Sequence, residues 1–116
     1  MNGKAKGSRS EYKSKALLEA AGYLVTKAGA SLGMWDLIGI RADGFVVCQV
    51  KSSRWPGLAE MNAMRNCEVP ANCRKLVHRW DDYAREPLVR EVSNPEPASE
   101  RGLTLPELLE MRALDK

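Results

Sequence analysis

The sequence is short of residues that many functions require. Aromatic side chains make up only 6% of its 116 residues, with a single Phe, too few for a surface that stacks many bases or sugars. One histidine, His78, excludes a histidine-rich metal site. No serine or cysteine motif accompanies it as a His-paired nucleophile, so it reads as a strand residue. Cys48, Cys67 and Cys73 are odd in number and contain no CxxC pair. That argues against a disulfide framework or structural zinc and for small apolar fillers in a reducing, intracellular protein. No apolar run approaches the roughly 18 residues of a membrane helix, and no apolar stretch follows the basic first residues as in a signal peptide. Gly29-x3-Gly33 lacks the Lys-Ser of a phosphate-binding loop. The expectation is a cytoplasmic protein without membrane contact or an organic cofactor.

What is present suits one domain of 12.9 kDa with one modest core. The net charge of +3 is unevenly spread: residues 1–54 carry +5, residues 55–92 are balanced, and residues 93–116 carry −2. Lys4, Lys6, Arg9, Lys13 and Lys15 crowd around a single acid, Glu11. Such a cluster attracts a polyanion through counterion release; a solubilising basic leader is the alternative.

Ser8 and Glu11 fit a capping box opening a first helix, with Tyr12, Ala16, Leu17, Ala20 and Ala21 on one face and Gly22 as C-cap. Strands are expected over 23–27, 35–41 and 45–52, a helix over 58–67, and strands over 73–80 and 88–92. A two-proline linker then leads to a short last helix from Thr104. The order implies an α/β or α+β domain over 1–92, a sheet covered by helices, with 93–116 as linker and helical tail.

Asp43-Gly44 between two β-rich runs signals a hairpin. As a two-residue turn it would pair Ile40 with Val47, Ile38 with Gln49 and Asp36 with Lys51. Asp36, Gln49 and Lys51 then share one face, because side chains alternate. Either this is an ordinary cross-strand ion pair or it is a site, since a buried strand pair does not hold an acid, an amide and an amine without a use for them.

Asp36, twelve intervening residues, then Gln49-Val50-Lys51 resembles the signature of the PD-(D/E)XK nuclease superfamily. Lys6-Gly7-Ser8-Arg9-Ser10-Glu11, followed by Ala30-Ser31 and the acid strand, resembles archaeal-type Holliday junction resolvases. The resemblance runs from about Lys6 to Ser53, less clearly to Val92, and not into the tail. It implies a restriction-endonuclease-like αβββαβ core with a mixed sheet flanked by helices. It also implies a Mg²⁺-dependent endodeoxyribonuclease, with Mn²⁺ able to substitute, that cuts branched DNA as a homodimer; a compact nuclease of this kind suits phage or prophage DNA processing.

Carried over by position, Asp36 is the central metal ligand and Glu11 reaches the same metal directly or through water. Gln49 takes the second-acid position, Lys51 is the lysine, and Ser31 matches a loop serine. Lys6, Arg9, Lys13 and Arg54 are the candidate DNA contacts. Trp55, beside Arg54, could touch a DNA backbone or mispaired base, or be rim packing. Trp35 stands where the family has proline, and Gln49 where it has Glu. An amide oxygen ligates Mg²⁺ without adding charge, so the site holds two carboxylates instead of three. Lys51 orients the attacking water and stabilises developing charge, or is only Asp36's structural partner. A flap, fork or mismatch nuclease, a decayed DNA-binding module and a protein-interaction domain are the rivals.

Overall fold

The computed structural model describes residues 3–28 and 33–94. Its elements are α1 (Gly3–Ala20), β1 (Leu24–Lys27), β2 (Leu37–Arg41), β3 (Gly44–Ser52), α2 (Leu58–Asn66), β4 (Cys73–Trp80) and β5 (Leu88–Glu91). The linker beyond Asn94, the tail helix and Ser31 lie outside the described residues.

Five strands form one mixed sheet in sequence order. β1–β2, β2–β3 and β4–β5 pair antiparallel, and β3–β4 pair parallel. A parallel pair needs a crossover, and α2 is that crossover. Helices therefore cover both faces, as expected. On the α1 face Leu18, Tyr23, Leu37, Val46, Cys48 and Leu76 are buried together. On the α2 face Trp35, Val47, Met64, Cys73, Val77 and Val92 form the second core. The three cysteines are free, and burial pushes the Cys48 thiol up to about 12, so it stays protonated. Among the described residues no helix is long and apolar enough to cross a membrane.

Three local expectations need correction. First, α1 begins at Gly3, not at a Ser8 cap, because Lys4-Ala5-Lys6 are good helix formers that extend it upstream. Its buried face is Ser10, Ser14 and Leu18, whereas Tyr12 and Leu17 are 63% and 42% exposed. The reason is a polar seam: the Ser14 hydroxyl accepts from Trp80 Nε1 (2.8 Å) and lies 2.9 Å from His78 Nδ1. The Ser14 hydroxyl answers two ring nitrogens of β4 that a tyrosine or leucine packed on that face would leave without it. Gly22 does end the helix, with φ +100°; Tyr23 N–H donates to Leu18 O and Gly22 N–H to Glu19 O, a Schellman motif.

Second, the hairpin turn is Ala42-Asp43, flanked by the pair Arg41–Gly44. The register pairs Ile38 with Val47 and Ile40 with Phe45. Neither turn residue has positive φ, so the turn is not the type I′ that Asp-Gly suggests. Gly44 serves another purpose: at φ +152° it packs against Asn72, and a Cβ there would run into the Asn72 carbonyl. Arg41 grips Asp43 at 2.6 Å instead. A slip of two residues preserves strand faces, so Gln49 and Lys51 still share a side.

Third, β2 begins at Leu37, leaving Asp36 just outside it. Trp35 is buried in the α2-side core and Leu37 in the α1-side core, so alternation breaks at Asp36.

Candidate active site

That break decides where Asp36 points. Val50 N–H donates to Asp36 Oδ2 at 2.7 Å. A strand N–H lies in the plane of its sheet, so the carboxylate is held near that plane and is not raised on either face. Asp36 N–H donates to Cys48 O (2.9 Å), and its carbonyl accepts from Ala28 N–H (2.8 Å), which fixes the backbone. Burial pushes the Asp36 carboxyl above its usual value. Among its charged neighbours Glu11 adds to the rise, while the Val50 hydrogen bond, Lys51 and Lys27 oppose it.

Glu11 reaches this group from α1, on the other side from Lys51, and pairs with Lys27 at 3.2 Å. Gln49, 8% exposed, donates from Nε2 to Met34 O (3.1 Å) and to Glu60 Oε2 (3.5 Å). Its Oε1 is buried and has no hydrogen-bond partner among the described residues. Buried acceptors are rarely left so, and each one asks for an explanation. Lys51 Nζ pairs with Glu60 Oε2 at 3.1 Å, and that hydrogen bond holds the Glu60 carboxyl below its usual range.

The expected Asp36–Lys51 pairing is therefore replaced. Lys51 is bound to Glu60, and the observed register carries Asp36 opposite Gln49, with Lys51 two residues on. Glu11, Asp36 and Lys51 nevertheless share one electrostatic neighbourhood. Two carboxylates and an orphaned amide oxygen are hard oxygen donors of the kind Mg²⁺ takes. Among the described residues no three His, Cys, Asp or Glu side chains are grouped for a metal; the candidate set has an amide in the third place.

The candidate DNA contacts are more dispersed. Lys6 falls within α1. Arg9 and Lys13, one turn apart, line an open cleft of about 410 Å³ with Ser10, Trp80, Asp81 and Tyr83. Lys13 Nζ sits 5.2 Å from the Trp80 ring centroid. At about 100° per residue that face lies roughly 200° around α1 from Glu11, so the cleft and the carboxylates are on different sides of the helix. Arg54 is exposed just past Ser53, whose φ of +67° turns the chain out of β3. Trp55 packs against the α2-side core with the Arg90 guanidinium 4.1 Å from its ring centroid.

Two side chains escaped sequence reasoning. Lys75, 1% exposed, donates to Arg65 O at 2.9 Å and so caps the end of α2. Glu60 stands in the first turn of α2. The one signal for it was an acid opening the helix that follows the lysine strand.

The backbone matches a solved structure, the Archaeoglobus fulgidus protein Hjc, a Holliday junction resolvase from an archaeal hyperthermophile, with a TM-score of 0.56. The match covers 76% of this chain and 72% of that one at 16% sequence identity. The fold is thus α/β of the restriction-endonuclease-like kind, as the sequence resemblance implied. No protein-family model matches the sequence, and no curated protein matches it.

Proposed function

We propose that the protein is a metal-dependent endodeoxyribonuclease cutting branched DNA, in the manner of a Holliday junction resolvase. One observation supports this above the rest: the Asp36 carboxylate is pinned to the N–H between Gln49 and Lys51, with Glu11 in its electrostatic neighbourhood. The resolvase likeness of the backbone supports the substrate class.

Asp36, Glu11 and Gln49 Oε1 would hold Mg²⁺, or Mn²⁺ in its place. Bound there, the ion lowers the pKa of a water and neutralises charge on the phosphate. Asp36 must be ionised to serve, and Lys27 and Lys51 favour that form against burial and Glu11. The Lys51 ammonium would orient the attacking water and stabilise charge developing on the phosphate oxygens. The basic residues of α1 and Arg54 would attract the DNA backbone. Two symmetric cuts at a four-way junction call for two copies of a chain with one such centre, hence a homodimer.

Four-way, forked, flapped and linear DNAs, each with and without Mg²⁺, test the reading. Preferential, metal-dependent scission of the four-way substrate is expected. Lys51→Ala should slow it roughly 10²–10³-fold and Asp36→Asn at least as much, with DNA binding retained. Unchanged cleavage by either variant would reject the assignment. Gln49 favours a second reading, a DNA-binding module with a weakened centre, which predicts salt-sensitive binding without scission under either ion.

A further inference from the structure

Glu60 is unassigned by the nuclease signature, yet it touches two of the residues that match it. Its carboxylate accepts from Gln49 Nε2 at 3.5 Å and from Lys51 Nζ at 3.1 Å. Met34 O takes the other amide contact at 3.1 Å. Both neighbours of the Gln49 amide are thus pure acceptors, and an amide between two acceptors can satisfy them only with its NH₂. The flip is thereby settled: Oε1 faces away from Met34 and Glu60, where it is buried without a partner.

We infer that Glu60 is a positioning residue for the cation site, turning the Gln49 amide so that its oxygen is the atom presented to the ion. An anion on the NH₂ end also polarises the amide and makes Oε1 a stronger donor, as outer carboxylates do for metal-bound histidines. Glutamine lacks the charge of the acid it replaces, and this is the means by which it can still act as a ligand. The same carboxylate holds Lys51 two residues along β3, so one side chain from the crossover helix sets both.

This rests on the metal-nuclease reading, and the test separates the two. Mn²⁺ affinity of the full chain is measured by electron paramagnetic resonance of free Mn²⁺, with circular dichroism confirming the fold. Wild type should bind, and Asp36→Asn should not; absence of Asp36-dependent binding overturns the metal reading and this inference with it. Given binding, Glu60→Ala should weaken it about 10- to 100-fold, while Glu60→Gln, which keeps an acceptor oxygen, should recover part of the loss.

The decisive arm is the background. In Gln49→Glu the residue at 49 carries its own charge, needs no orienting, and is repelled by Glu60. There Glu60→Ala should leave Mn²⁺ affinity unchanged or raise it. An effect of Glu60→Ala that is absent with Gln49, or equal in both backgrounds, would overturn the inference and leave the nuclease reading standing.

Discussion

On the α1 side of the sheet the buried hydroxyl of Ser14 meets both polar groups within reach, His78 and Trp80. On the α2 side the buried Oε1 of Gln49 meets none among the described residues. Both groups are withdrawn from water, and only the first is compensated. A satisfied buried cluster fixes how a helix sits on a sheet; an unsatisfied one costs stability and is retained where a ligand can complete it. The comparison separates the part of the molecule that sets its shape from the part that could do chemistry.

The largest effect on stability should come from breaking the satisfied side. Ser14→Ala strands the Trp80 Nε1–H and the His78 ring, costing roughly 2–4 kcal/mol. Urea unfolding reads this, and Mn²⁺ affinity should not change in the protein that remains folded. A cost below about 0.5 kcal/mol would mean the seam is incidental. The unsatisfied side should lose less stability and more function. Gln49→Leu removes the orphaned oxygen but also the donor to Met34 O and Glu60, so the two partly cancel. The net cost should be smaller than for Ser14→Ala, about 1–2 kcal/mol, while cation binding is lost.

Acid sharpens the same contrast. Burial lowers the His78 pKa in the folded protein, so below the ordinary value of about 6.5 the unfolded chain binds a proton that the folded one resists. Stability contributed by the neutral ring is full above that value and declines as pH falls towards the lowered one, by up to about 1.4 kcal/mol per pH unit. Urea midpoints should show this slope, and His78→Gln should remove that portion of it. The smallest effect belongs to a pair outside both clusters. Arg74 and Glu91 meet at 2.9 Å on the exposed surface of β4 and β5, and Arg74→Ala should cost under about 1 kcal/mol.

Much of this is legible in the sequence. β4 occupies the residues its pattern suggested, α2 begins at Leu58 after Pro56-Gly57, and Gly22 closes α1. The shared face of Gln49 and Lys51 survived an error in the turn, because a two-residue slip leaves parity intact. Apolar spacing misleads on the face of α1, whose polar seam centres on Ser14, a serine with partners 64 and 66 residues away. Asp43-Gly44 misled for a related reason: the glycine answers the Asn72 carbonyl, not the turn.

Strand alternation, helix ends and element order are properties of short stretches, so the order of residues determined them. The position of Asp36 in the sheet plane, the arrival of Glu60 over Gln49 and Lys51, and the burial of Ser14 against β4 were decided only when distant segments packed. Each depends on a pairing register or a crossover path, and such contacts leave no periodic trace in the chain that makes them.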